Sequence, residues 1–269
     1  MNALPLSLAD CTVFVAGGGS AGPGWSIGRA ASVTYARLGA RVCVVDRDAA
    51  SAAETTALIR AEGGAAETFV GDVAEEAEIA RLFAEAREHF GPIDVLHHNV
   101  GIGKTGGGLD TDVRDFDAAH NVNVRSLLLA SQQVLPSMVE RGRGAVVTVS
   151  SVAGLRYIGY PHLSYSVSKA ALIQFTRMIA QQYAGSGIRA NCVVPGLIDT
   201  PRIAHTVAKQ FSADSLDDAR AARARQVPMQ RMGTAWDVAH ACAFLASDAA
   251  AYITGTELVV DGGITGKYA

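Results

Sequence analysis

The chain has 269 residues, 49% hydrophobic and 18% charged, with a formal net charge of -3. That is enough apolar material for a large core, and there is no basic excess of the kind that neutralises nucleic-acid phosphates. No apolar run is long enough to span a bilayer, and the first residues lack the charged and apolar blocks of an export signal, so the sequence reads as a cytoplasmic protein that binds neither membrane nor nucleic acid.

The first apolar run, residues 11–16, leads into Gly17-Gly18-Gly19-Ser20-Ala21-Gly22-Pro23-Gly24-Trp25-Ser26-Ile27-Gly28 and then a helical stretch over 26–38. Glycines let a backbone turn sharply and approach a pyrophosphate, and a helix N-terminus offers free amides with partial positive charge. Gly17, Ser20, Ser26, Ile27 and Gly28 are therefore candidate cofactor contacts, against the plainer reading of a flexible surface turn. The second run, 41–46, ends in Asp46, about twenty residues beyond the loop, where a carboxylate accepts hydrogen bonds from ribose hydroxyls and repels a 2′-phosphate. This favours NAD over NADP. Arg47 beside it keeps NADP as the alternative.

A helix over 49–61 and a strand over 67–71 lead to Asp72-Val73, placed near the adenine edge, although an ordinary helix cap also explains Asp72. A helix over 75–90 precedes a strand over 93–98 that carries His97 and His98, whose rings must point to opposite faces of a sheet. With no Cys-x-x-Cys spacing among Cys11, Cys43, Cys192 and Cys242, buried thiols and no metal site are expected. The glycine-rich stretch 101–108 follows, then a long helix over 116–140 and a strand over 144–150 that ends in adjacent serines. One of Ser150 and Ser151 faces the cleft and the other faces away, because strand side chains alternate.

The next helix, 165–184, opens on Tyr165-Ser166-Val167-Ser168-Lys169. Residues four apart share a helix face, so an ammonium sits beside a phenol and favours its ionised form. At about 5 Å and an effective dielectric near 20 the pair is worth roughly 3 kcal/mol, about two pKa units. A strand over 188–194, a charged segment over 202–226, a helix over 235–246 and a strand over 257–260 complete the pattern. Apolar strands alternating with helices predict an α/β fold: one Rossmann-like domain over 1–269, doubly wound, with a parallel sheet of about seven strands and helices on both faces.

The chain resembles the short-chain dehydrogenase/reductase family over nearly its whole length. The matching features are the glycine-rich turn, Asp46, Asp72-Val73, Asn99-Val100-Gly101, Asn123, Ser150-Ser151-Val152-Ala153-Gly154, Tyr165 with Lys169, Pro195-Gly196 with Thr200, and Asp261-Gly262-Gly263. The resemblance implies a catalytic tetrad of Asn123, Ser151, Tyr165 and Lys169. Tyr165 would be the general acid/base, Ser151 would hold the substrate oxygen, Lys169 would bind the nicotinamide ribose and acidify Tyr165, and Asn123 would anchor a proton-relaying water. It further implies that Ile198 and Thr200, after Pro195 and Gly196, orient the nicotinamide carboxamide, and that Asn99 and Gly101 line the ribose floor.

Three departures stand out. The glycine loop is about three residues longer than the family's usual turn, His98 stands where the family has asparagine, and the loop through Tyr157, Tyr160 and His162 is one residue longer than common. His162, three residues before Tyr165, is the candidate substrate contact beside Ser151 and Tyr165, against a merely structural surface histidine.

The resemblance implies a mobile substrate lid over 200–226. Most of its charges read as solvated helix faces, but one inward arginine would suit a carboxylate-bearing substrate. The expected activity is NAD-dependent hydride transfer between the nicotinamide and a small-molecule secondary alcohol or ketone. The alternatives are an NADP-linked ketone reductase and a non-catalytic nucleotide-responsive regulator. A homo-oligomer, tetramer or dimer, is expected through the helices over 116–140 and 165–184.

Overall fold

The computed structural model describes residues 6–203 and 216–267. Its centre is a seven-stranded parallel sheet built from β1 (Thr12–Ala16), β2 (Arg41–Asp46), β3 (Ala65–Val70), β4 (Val95–His98), β5 (Gly144–Val149), β6 (Ile188–Pro195) and β9 (Glu257–Val260). The spatial order is β3-β2-β1-β4-β5-β6-β9, so the chain reverses direction across the sheet between β1 and β4. Crevices for ligands open at such a switch, beyond the carboxyl ends of the strands. A separate pair of two-residue strands, β7 (Ile198–Asp199) and β8 (Gly233–Thr234), ties the segment after β6 to the start of the last long helix.

The central strands are buried on both faces, and their two-residue period sorts the core into two layers. Val13 and Val15 of β1 join Val42 and Val44 of β2 in one layer, whereas Phe14, Ala16, Cys43 and Val45 join the other. Over the first layer pack α1 (Ile27–Arg37) and α8 (Ala235–Ala246), with Trp25 and Trp236 4.5 Å apart at their edge. The second layer packs under α3 (Glu76–Phe90), α5 (Ser126–Arg141) and α6 (Leu163–Tyr183), where Phe14 stacks on Phe83 at 3.8 Å.

Local sequence sets the helix ends. Ser26 caps α1 by accepting from the Arg29 amide, and Thr234 and Asp237 form a reciprocal capping box at α8. The helix α5 stops at Gly142, whose φ of 65° is the left-handed conformation that glycine adopts without strain.

The expected helix over 116–140 takes a different form. It starts earlier, as α4 (Val113–His120) capped by Asp112, passes through one π-helical turn over Asn121–Arg125, and resumes as α5. The π turn admits one extra residue and aims Asn123 inward, where its side chain is fully buried. The third strand starts two residues sooner than expected, at Ala65, and α6 starts at Leu163. No helix among the described residues is long and apolar enough to cross a membrane, and no cluster of three or more possible metal ligands occurs among them.

Candidate active site

The glycine loop closes tightly on the first strand and helix. Gly17 has φ 80°, and a Cβ on Gly28 would fall 1.8 Å from the Gly17 carbonyl oxygen and 2.7 Å from Asn99 Nδ2. Only glycine at 28 lets the start of α1 sit this close to the turn. Asn99 Nδ2 in turn donates to the Gly17 carbonyl at 3.1 Å, so the end of β4 holds the loop from the side.

The inserted residues are braced from within. Ser26 Oγ donates to the Gly19 carbonyl at 2.6 Å while capping α1, and Ser20 Oγ donates to the Gly22 carbonyl at 2.8 Å. Ser26 is thus a helix cap and a loop strut. Asp46 Oδ2 accepts from the Gly19 amide at 3.0 Å and Oδ1 from the Asp48 amide at 3.1 Å. This orients the carboxylate at the loop and leaves acceptor capacity for a diol, since an ionised carboxylate takes about four hydrogen bonds. Asp72 makes a local turn, accepting from the Ala74 amide at 2.9 Å, and Val73 is buried. The cap of α3 is Glu75, not Asp72.

Around Tyr165 the arrangement is denser. Lys169 is almost fully buried, and its ammonium donates to the Val149 carbonyl at 3.0 Å and the Val100 carbonyl at 3.3 Å. It lies 5.6 Å from the centre of the Tyr165 ring. Gly101 makes room for it, because a Cβ there would sit 2.9 Å from the ammonium nitrogen.

The two serines divide as the strand period requires. Ser150 is buried and donates to the Lys169 carbonyl at 2.6 Å, while Ser151 lies within hydrogen-bonding reach of the Tyr165 phenol. Burial pushes the Tyr165 phenol up, but Lys169, Arg202 and the Ser151 hydroxyl together hold it below the ordinary tyrosine value. Burial lowers Lys169, and proximity to Tyr165 opposes that, so each residue favours the charged form of the other.

Asn123 spends its side chain on the protein. Its Oδ1 accepts from the Ile102 amide at 2.8 Å, and its Nδ2 donates to the Ile102 carbonyl at 2.9 Å and to Ser168 Oγ at 2.8 Å. Ser168 passes the link on by donating to the Tyr165 carbonyl at 2.8 Å. The amide therefore ties the segment after Gly101 to the helix that carries Tyr165 and Lys169.

His98, standing where an asparagine was expected, restores a brace of its own: Nε2 meets Ser126 Oγ at 2.7 Å. His97, on the opposite face, meets the Tyr35 hydroxyl at 2.8 Å.

His162 stacks on Tyr165, ring centres 4.7 Å apart and planes 15° from parallel, and burial lowers its pKa. Tyr160 follows at 5.7 Å from His162, and Tyr157 is exposed. After β6, Pro195 and Ile198 are buried while Gly196 and Thr200 are half-buried.

Two arginines that composition alone left among solvated charges instead enter this site. Arg202 donates to the Gly101 carbonyl at 3.1 Å and places its guanidinium 5.4 Å from the Tyr165 ring centre. Arg223 is buried, 9% exposed, in α7 (Leu216–Gln226). Of the expected lid over 200–226, residues 204–215, with His205, Lys209 and Asp214, lie outside the described residues.

The arrangement offers a glycine cradle at a helix start, an acidic residue one strand over, and an acidified phenol beside a serine hydroxyl. Such a site suits proton transfer next to a bound dinucleotide.

A family profile described as enoyl-(acyl carrier protein) reductase matches residues 22–265. The 2-(S)-hydroxypropyl-CoM dehydrogenase 3 of Xanthobacter autotrophicus is 36% identical over 92% of this chain and 94% of its own length. A crystal structure from Burkholderia xenovorans, described as a short-chain dehydrogenase/reductase, superposes with a TM-score of 0.90 at 38% identity, covering 97% of this chain and 99% of the other. The gluconate 5-dehydrogenase of Burkholderia cenocepacia J2315, solved with NADP and tartrate, gives a TM-score of 0.86 at 27% identity, with 98% of each chain covered.

Proposed function

This chain belongs to the short-chain dehydrogenase/reductase family, and within it we propose an NAD-dependent dehydrogenase that interconverts a secondary alcohol and a ketone, with Tyr165 as general acid/base. The observation that carries this reading is the half-buried Tyr165 phenol, held below its ordinary pKa by Lys169 and Arg202 and within reach of Ser151.

The residues present fit a dinucleotide. Gly17, Ser20, Ser26, Ile27 and Gly28 would cradle the pyrophosphate at the N-terminus of α1, where a Cβ at 28 would close the turn. Asp46 would accept from the ribose hydroxyls of the adenosine half, with Asp72 and Val73 along the adenine edge. Asn99, Gly101 and Lys169 would floor the second ribose, and Pro195, Gly196, Ile198 and Thr200 would border the nicotinamide carboxamide.

When bound, the dinucleotide supplies or takes the hydride. The protein moves the proton. In the oxidation direction the Tyr165 phenolate accepts the alcohol proton while the Ser151 hydroxyl donates to the same substrate oxygen and steadies the charge that develops there. In reduction the phenol returns the proton to the forming alkoxide. Lys169 keeps the phenolate accessible near neutrality. With its side chain bonded to Ile102 and Ser168, Asn123 acts through position: it fixes the segment after Gly101 against α6.

NAD is favoured over NADP by the carboxylate of Asp46, which would face a 2′-phosphate with like charge. The NADP bound to the gluconate 5-dehydrogenase relative keeps NADP-linked reduction as the second reading. Assembly as a tetramer or dimer would use the faces of α4, α5 and α6, where Leu128 is 44% exposed and Met178 46%. Comparing turnover of a secondary-alcohol panel with NAD and NADP, in wild type and Tyr165→Phe, tests this function. Turnover confined to wild type and stronger with NAD is expected.

A further inference from the structure

The surroundings of Tyr165 carry two arginines, Arg202 and Arg223, more positive charge than general acid/base chemistry at Tyr165 requires. Arg223 projects from α7 into the protein and is nine-tenths buried. Its Nε has no hydrogen-bond partner among the described residues. The guanidinium lies within hydrogen-bonding reach of the Tyr160 hydroxyl, and the carboxylate that acts on it at a distance, Asp199, is already bonded to Arg220 at 3.1 Å.

A buried guanidinium with an unused N–H is costly, because the charge has lost water and one donor goes unsatisfied. Such a group persists where a ligand completes it. Tyr160 connects it to the reaction centre through two ring contacts, 5.7 Å to His162 and 4.7 Å from His162 to Tyr165. Arg202 lies 5.4 Å from the Tyr165 ring centre.

We propose that Arg223, with the Tyr160 hydroxyl beside it and Arg202 contributing to the local field, forms a subsite for an oxyanion carried by the substrate, so that the natural substrate is a short alcohol or ketone bearing a carboxylate, sulfonate or similar group. The inference rests on the dehydrogenase reading above and names its substrate class. A guanidinium matches such an oxyanion because its planar donors meet two oxygens at once. The phosphates of a dinucleotide are the other source of oxyanions, but the turn and carboxylate that suit them, Gly17 to Gly28 and Asp46, lie at the ends of β1 and β2. Arg223 and Tyr160 belong to α7 and to the loop between Ser151 and Tyr165.

The probes are 4-oxopentanoate and its neutral counterpart methyl 4-oxopentanoate, each reduced with NADH and with NADPH by wild type, Arg223→Met and Arg223→Lys. Wild type is expected to prefer the carboxylate by about tenfold or more in kcat/KM. Arg223→Met should bring that preference down to near one, and Arg223→Lys should restore part of it, as for loss of a charge-assisted hydrogen bond. Cofactor affinity, read by fluorescence titration, should stay the same in all three.

A preference for the ester, an equal loss on both probes, or a loss confined to cofactor affinity would overturn the subsite. If wild type reduces neither probe, calorimetric binding of 4-oxopentanoate to the cofactor-loaded protein decides. Saturable binding abolished in Arg223→Met keeps the oxyanion subsite while the dehydrogenase reading is decided by the secondary-alcohol panel, and no binding in wild type removes the subsite itself.

Discussion

The ammonium of Lys169 lies 5.6 Å from the centre of the Tyr165 ring and is anchored there by the carbonyls of Val149 and Val100. Both carbonyls belong to strand ends at the crevice, one after β4 and one on β5, so the sheet itself fixes the cation one helical turn from the phenol.

That geometry predicts a shift in the pH profile. On the proposed mechanism Tyr165 is the base in its ionised form, so kcat/KM for alcohol oxidation should rise with pH through an apparent pKa below that of free tyrosine, as the lowered pKa requires. Removing the cation in Lys169→Met takes away one of the interactions that lower it, and the rising limb should move to higher pH. A limb that stays in place would assign the titration to another group.

Asn123 joins two segments with three hydrogen bonds from a buried amide. Asn123→Ala would leave the half-buried Ile102 amide and carbonyl without these partners, for a loss of about 1–2 kcal/mol in chemical denaturation. Turnover should fall with it, because Ile102 adjoins the floor at Gly101. A variant as stable as wild type would show that the π turn, rather than the side chain, sets this region.

At the glycine loop, Gly28→Ala places a methyl group against the Gly17 carbonyl. Overpacking of this kind costs about 1–3 kcal/mol, and the turn can relax only by moving away from α1. The expected outcome is a loss of cofactor affinity of about tenfold or more, read by fluorescence titration, while kcat at saturating cofactor changes much less.

The two histidines on β4 predict acid sensitivity. Burial pushes His97 and His98 each down to about 3. The folded protein therefore keeps them neutral while the unfolded chain takes up protons, so their stabilising contribution is full above the unfolded value and is lost as pH falls from about 6.5 toward 3. The melting temperature should drop steeply across that window. His98→Asn should melt with a shallower slope, and an identical slope would place the titration elsewhere.

Much of this was readable from residue types. The Val-rich apolar runs of β1, β2 and β5 mark buried strands, and the four-residue spacing of Tyr165 and Lys169 sets their common helix face. The alternation that separates Ser150 from Ser151 is equally local. Other features depend on contacts that no local pattern encodes. The π turn at Asn123 interrupts an apolar period that reads as one unbroken helix, and it accompanies the pairing of Asn123 with Ile102 and Ser168 across the fold.

Arg223 lies among Ala, Arg and Asp residues whose pattern is that of a solvated surface. The burial of Ala219 against Ile203 and the approach of Tyr160 from another loop show that this face of α7 turns inward. His98 was legible as a departure, whereas its replacement partner, Ser126, became visible only once α5 was laid against β4.

The most direct test is hydride transfer by Tyr165→Phe, measured as cofactor absorbance change with a secondary alcohol or ketone that wild type turns over. Loss of the phenolic oxygen should lower kcat by about a thousandfold or more while NAD affinity and melting temperature stay near wild type. Near-normal turnover in that variant would contradict the assignment of Tyr165 as the group that moves the proton.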